Sequence, residues 1–436
     1  MRSVALFFEL LMLIPIALVQ PFVGVILWSW VSFMNPHRLV YGGIALEVPW
    51  AMLIFAATII GCLVAREPKR FPWNGVTILV ALFLVMITFT TVFALGPRDD
   101  VLKKYEEVFK VFLFLLVTAA LLTSRERIHA LVWVMVLSLA FFGIKGGGFT
   151  LMGDGANKVF GPPSSMIYDN NHLAVGLLVS LPLMNYLRME SRYAIVRFGL
   201  AATMVLTLFA VVGSYSRGAF LALGAVSFFF WCKSRSKIIS ALVILILVGG
   251  AIASMPVNWV ERMQTIQDYQ EDKSTQGRFA IWNVAWTMAK TRPLFGSGFF
   301  GPYSQPVVER FVPNAEARAV HSIWFEVLGE HGFPTFFVWV GINVAAIVYA
   351  RQIIKSAREI PELEWCVNLA RMSQVSMIAY LTGGSFLSLC YWDYYFTVLV
   401  IIAAVHEQVR ATLRQQAAPI RQPGSLRIPS HLAVLR

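Results

Sequence analysis

The chain has 436 residues, of which 58% are hydrophobic and 14% charged, with a mean hydropathy of +0.67. A water-soluble domain carries roughly a quarter charged residues to cover its surface, so this composition excludes a soluble globular class. The net charge of +12 would suit a nucleic-acid partner, but its Lys and Arg residues sit in short loops between apolar blocks, as expected of a membrane protein and not of a nucleic-acid binder.

A hydrocarbon core about 30 Å thick calls for roughly 20 apolar helical residues per span. The first apolar stretch, 4–33, lacks a polar cleavage region and reads as the first membrane element. Pro15 and Pro21 either split it into two short helices or kink one tilted span. Arg2 favours a cytoplasmic N-terminus and therefore a single span. Further spans are expected at 48–65, 76–95, 106–122, 128–147, 172–187, 195–212, 218–232, 238–255, 333–350, 372–389 and 394–409. The expected fold is an all-α polytopic membrane protein with about twelve transmembrane helices.

Loop charge sets the orientation. One alternating set of loops holds fifteen basic residues, among them Arg66, Lys69, Arg70, Arg125, Arg127 and Arg371; the short loops of the other set hold seven. The richer set is cytoplasmic. The segment 256–320, between an N-terminal bundle (1–255) and the C-terminal membrane helices (321–410), then falls on the outside. It contains a helix-like run at 278–289 and a Gly/Pro turn region at 293–306, and at this size it folds against the membrane part rather than alone. The basic, Pro-containing end of 411–436 reads as a disordered cytoplasmic tail. Cys62, Cys232, Cys366 and Cys390 lack metal-ligand spacing and read as free thiols. The outer carboxylates Asp154, Asp169, Asp268, Glu271 and Asp272 lack paired spacing too, so no metal or other cofactor is expected.

Ionisable residues at membrane depth are costly, and each is a functional hypothesis. Arg217 lies in a Gly213–Gly218 turn at an outer helix end, where Ser216 can cap the following helix. Free helix N–H groups beside a guanidinium suit a phosphate; the plainer reading is an Arg bound to lipid headgroups. Arg278, Trp282 and Trp286 recur every four residues on one helix face, with the tryptophans at headgroup level and Arg278 directed inward, or else as an amphipathic surface helix. His321 stands where the large loop returns to the membrane, and a neutral imidazole there can take a proton from an attacking hydroxyl, unless it is a structural histidine. Two nearby arginines would keep it neutral. Lesser candidates for substrate contact are Lys145 beside a glycine run, Asn170 and His172 ahead of a span, and Tyr391 and Asp393 in an aromatic turn. Lys145 otherwise snorkels, and the turn otherwise forms an interfacial belt. Lys110 is the main charge within a span and can pair with Glu106 or Glu107 one turn back.

The order of these motifs resembles the bacterial O-antigen ligase and Wzy-type polymerase superfamily. The shared features are a Ser216-Arg217-Gly218 element opening a mid-chain helix, Arg278 and Trp282 in a large loop, and His321-Ser322 followed by Gly329 and Gly332. The stretches 168–172 and 278–303 look most like the exosortase-associated O-glycosylation-ligase subgroup. The resemblance implies a GT-C-like, metal-independent, inverting glycosyltransferase of the bacterial inner membrane with its site facing the periplasm. The donor would be a glycan on undecaprenyl diphosphate, and the acceptor a hydroxyl of the lipid A–core oligosaccharide. Arg217 and Arg278 would hold the diphosphate, and His321 would activate the acceptor. A polymerase or a protein O-oligosaccharyltransferase would use the same donor. A transporter would instead show charged mid-membrane helices and inverted repeats, neither of which is clear here.

Overall fold

In lipid the backbone has no water to bond, and a helix satisfies its N–H and C=O groups within one segment. The computed structural model describes residues 2–40, 42–153, 158–233, 236–256, 259–260, 263 and 273–417, and every regular element among them is helical. The main helices are α1 (Arg2–Val19), α2 (Pro21–Met34), α3 (Trp50–Val64), α4 (Gly75–Val92), α5 (Arg98–Leu121), α6 (Arg125–Met152), α7 (Asn170–Glu190) and α8 (Ala194–Val212). They continue as α9 (Arg217–Lys233), α10 (Lys237–Ile244, prolonged to Ala253), α11 (Lys273–Thr291), α12 (Gln305–Phe311), α13 (Ile323–Ala357), α14 (Glu364–Gly384) and α15 (Asp393–Ala417). Six are long and apolar enough to cross a membrane: α1, α4, α6, α8, α13 and α15. The chain is an all-α polytopic membrane protein.

Side-chain caps start several of these helices. Asn74 and Thr77 form a reciprocal capping box at α4, and Asp169 accepts from the Asn171 N–H at 2.9 Å to open α7. Each such cap contributes about 1 kcal/mol. Lys110 pairs with Glu106 at 2.6 Å, one turn back on α5. Residues 154, 268, 271 and 272, weighed above as carboxylates, and the tail from 418 onward lie outside the described residues.

The N-terminal element departs from the single span expected. Pro21 takes the first position of a new helix, where its missing N–H leaves no bond unmade. The Phe22 N–H donates to Glu67 at 3.0 Å, while the Ala45 N–H donates to the Ser3 hydroxyl at 3.3 Å. The end of α2 has therefore returned to the start of α1, and the pair is a hairpin packed on α3. A single charge at Arg2 gave too little weight to the helix break at Pro21.

α13 is two helices in one. Gly332, at φ 75°, breaks it, and the Phe333 N–H bonds the Pro293 carbonyl at 2.8 Å instead of its own helix. The aromatic turn before α15 is not an interfacial belt either. Tyr391, Trp392, Tyr394 and Tyr395 are all 3% exposed or less, because the turn leads straight into a helix whose residues 393–406 are all buried. Tyr380 and Tyr395 stack there at 3.5 Å.

Candidate functional site

The site sits at the end of the bundle away from the Arg127–Glu67 and Arg125–Glu190 ion pairs. Its first wall is the turn from α8 to α9. The Ser214 hydroxyl donates to the Val211 carbonyl at 2.6 Å, and the Asn170 amide donates to the Ser214 carbonyl, also at 2.6 Å. Tyr215 adopts a left-handed φ of 59° to complete the reversal. Ser216 then accepts from the Ala219 N–H at 3.1 Å, capping α9 and leaving Arg217 as its first residue. Asn170 thus braces the turn that carries Arg217.

The second wall is α11 with the strand-like segment ahead of α13. Ile281, Val284 and Met288 on α11 form a small core with Val307, Val308 and Val320. The Trp282 indole donates to the Val320 carbonyl at 2.8 Å and stacks on Phe325 at 5.3 Å. Trp282 therefore pins the residue just before His321 rather than lying at the headgroups; Trp286 keeps an exposed edge. Gly329 lies against Ala285 of α11, where a side chain would collide, and the Ser297 and Gly298 N–H groups bond the carbonyls of Gly329 and Glu330 at 2.9 and 2.7 Å. The Gly329–Gly332 element is the joint between the large loop and α13.

His321 is held at φ 50°, with its N–H donating to Ser388 Oγ at 2.9 Å. A left-handed histidine costs about 1–3 kcal/mol, and such strain collects at functional sites. Its Nδ1 is buried without a hydrogen-bond partner. Burial, the Arg278 guanidinium and His172 press the imidazole down to about 4, against the opposing pull of Glu326 and Asp169. His321 is thus neutral at pH 7, as a proton acceptor must be. His172 Nδ1 lies 3.5 Å from Asp169 Oδ1. Burial raises Asp169, but hydrogen bonds from His172 and Asn171 outweigh it and hold the carboxyl well below the usual range.

The link between the two walls is the turn 383–388. A side chain on Gly218 would lie 3.4 Å from Phe386 Cβ, while Gly384 sits against Ile323 and the Trp324 indole donates to Ser385 at 2.8 Å. The helix start that carries Arg217 and the segment that carries His321 therefore pack on the same turn. Arg278, His172, Asp169 and Asn170 join from α11 and α7. The arrangement offers guanidinium groups, a capped helix N-terminus and a neutral imidazole at one end of a membrane bundle.

Three lesser candidates have surroundings of their own. Lys145 is exposed, and the glycines around it serve helix packing: Gly143 and Gly147 approach Thr207 and the Leu206 backbone so closely that a Cβ would clash. Asp393 is buried, accepts from the Ser32 hydroxyl and bonds the Tyr394 N–H. Tyr391 is buried and donates to Glu330 at 2.7 Å. A cavity of about 750 Å³ near Arg371 and Asn368 belongs to the other end of the bundle.

A charged cluster not evident in the sequence gathers around Glu326 and Glu330, shortly after His321 in the chain. Lys104 Nζ lies 2.8 Å from Glu330 and 3.4 Å from Glu326, with Glu330 wholly buried. Tyr303 donates to Glu326 at 2.9 Å, and the Phe300 N–H to Glu330 at 3.1 Å. Its one local signal is two glutamates four residues apart. Lys104 comes from a distant helix.

Comparison with known proteins bears on this same region. Residues 202–340 match the family described as O-Antigen ligase. Over this segment the chain is similar to the O-antigen ligase family. The segment includes Arg217, Arg278, Trp282 and His321, so both walls of the site lie within the matched segment. Residues 1–192, with Lys145, Asn170 and His172, match a family of unknown function. No curated protein matches the chain.

Proposed function

We propose that the protein is an O-antigen ligase of lipopolysaccharide biosynthesis. It transfers a glycan from undecaprenyl diphosphate to a hydroxyl of the lipid A–core oligosaccharide, at the periplasmic face of the bacterial inner membrane. The observation that carries the reading is that the O-antigen ligase segment contains Arg217, Arg278 and His321, with Arg278 acting electrostatically on the His321 imidazole.

In the proposed step the acceptor oxygen bonds to the anomeric carbon as the bond from that carbon to the diphosphate oxygen breaks. The bonding pair leaves with the diphosphate, and the hydroxyl proton passes to His321. Attack opposite the leaving group inverts the anomeric centre. Arg217 and Arg278 take up the charge growing on the diphosphate, the role guanidiniums perform best for phosphate oxygens. With two guanidiniums in that role, no step of the transfer calls for a metal.

The test is to incubate purified protein with undecaprenyl-diphosphate-linked glycan and a chelator, offering lipid A–core, a second lipid-linked glycan or a pilin-type protein as acceptor. Transfer to lipid A–core that survives chelation is the expected result. Chain lengthening would make the protein a polymerase, and a glycosylated protein an O-oligosaccharyltransferase. Movement of glycan across the membrane without covalent product would make it a transporter.

A further inference from the structure

The end of the bundle away from His321 carries a groove that the transfer step does not use. A cavity of about 750 Å³ lies between α9, α10, α13 and α14, and a second of about 400 Å³ runs on along α13 and α14. Phe229, Ile354 and Gln374 line both, so the two are continuous. The outer wall is α10, which buries no residue between Lys237 and Ile244 and so sets the groove at the lipid-facing side of the bundle. Along its length the groove changes character. Arg351, Lys355 and Arg358 border it at one end with Arg371 of α14, and Ile347, Val375, Met377, Ile378 and Leu381 line it beyond them. α13 starts beside His321 and carries Arg351 and Lys355 in its last two turns, so the cationic end lies at the membrane face opposite the transfer site. Arg358 pairs with Glu359, whereas no carboxylate pairs with Arg351, Lys355 or Arg371 among the described residues.

We propose that this groove binds an anionic phospholipid of the leaflet away from His321, with its phosphate on Arg351, Lys355 and Arg371 and an acyl chain in the apolar part. Charge and length both fit. Guanidinium groups hold phosphate oxygens by paired hydrogen bonds, and basic pockets between membrane helices take anionic headgroups. From Arg371 to Leu381 the helix rises about 15 Å. That is the depth of one leaflet in a hydrocarbon core about 30 Å thick. Basic loops alone would orient the chain in its membrane. Here Arg351, Lys355 and Arg371 stand on helices and flank apolar surface, an arrangement that orientation does not require. A free anion would meet the charges but gain nothing from Phe229, Ile354 and Met377. A neutral lipid would fill the apolar part and leave three cations without a counter-charge.

The test needs no turnover. Full-length protein in a neutral detergent is titrated with phosphatidylglycerol, with phosphatidylcholine of the same acyl chains, and with inorganic phosphate, and native mass spectrometry follows what stays bound. One phosphatidylglycerol should be retained in preference to phosphatidylcholine, and inorganic phosphate should bind far more weakly than either the charge or the chain alone would suggest for the lipid. Arg351→Gln, Lys355→Gln and Arg371→Gln remove exposed charges that the fold does not use, and each should weaken phosphatidylglycerol about fivefold while leaving phosphatidylcholine unchanged. Val243→Trp keeps every cation and fills the groove from α10, the outer wall, where Val243 is part exposed. Displacing about two methylenes of chain in this way should weaken phosphatidylglycerol about tenfold. Equal retention of the two lipids by the wild type overturns the inference, as does an unmoved affinity in the glutamine variants or in Val243→Trp. Inorganic phosphate held as tightly as the lipid also overturns it, since the groove would then be an anion site with no place for a chain.

Discussion

Two polar clusters lie next to one another at one end of the bundle, built from similar residue types and finished differently. Around Lys104, Glu330 has a partner on each oxygen, all supplied by the protein from α5, the large loop and the turn before α15. Around His321, the imidazole leaves Nδ1 unbonded, the backbone is held in a left-handed conformation, and Arg278 presses the ring toward neutrality. A buried polar group left without partners costs about 1–3 kcal/mol, so the fully bonded Glu330 suits a frame and the open His321 imidazole suits a site awaiting substrate.

Substitutions that separate frame from site test this division, and the largest effect is expected at His321. His321→Ala should lower the transfer rate by about 10²- to 10⁴-fold, the usual worth of a general base, with donor affinity and melting temperature nearly unchanged. Arg278→Gln should cost about 10²- to 10³-fold, as for one lost donor to a developing anion, and should weaken donor binding as well. In the frame the readout inverts. Lys104→Met leaves two carboxylates buried with no cation and should cost about 3 kcal/mol in thermal or denaturant stability, the low end for a broken buried pair, since Lys104 is still 21% exposed. Trp282→Phe loses the bond to the Val320 carbonyl and should cost about 1 kcal/mol of stability, with a modest fall in rate as the segment before His321 loosens.

A pH series sharpens the same contrast. The base must be neutral to accept a proton, and His321 protonates only at about 4. Transfer should therefore hold steady from neutral pH down through the range where an ordinary histidine, near 6.5, would already be charged. It should fall as pH drops toward 4. A rate that halves near 6.5 would mean that the imidazole is not in the environment described.

Much of the fold was legible because lipid leaves few choices. Long apolar blocks must be helices, and helices occupy each of the eleven stretches expected after residue 33. The hairpin at Pro21 was the exception, since a thirty-residue apolar run is compatible with one tilted helix or two short ones. In the site, Arg217, Arg278 and His321 stood out as charges or a lone histidine at helix ends. The roles of Asn170 and Trp282 were not legible, because each bonds a backbone carbonyl 38 to 44 residues away. Lys104 lay further out of reach, with 222 and 226 residues separating it from its glutamates. The glycines around Lys145 were visible, but only the neighbouring helix shows that they serve close packing.

The central claim is that the site around His321 joins a lipid diphosphate donor to a hydroxyl acceptor, with His321 taking the proton. Its most direct test is single-turnover transfer in proteoliposomes preloaded with undecaprenyl-diphosphate-linked glycan, comparing wild type with His321→Ala after addition of lipid A–core. Retained donor with no glycosylated lipid A–core in the variant, against rapid product in the wild type, is the predicted result. Product at the wild-type rate in the variant would contradict the account.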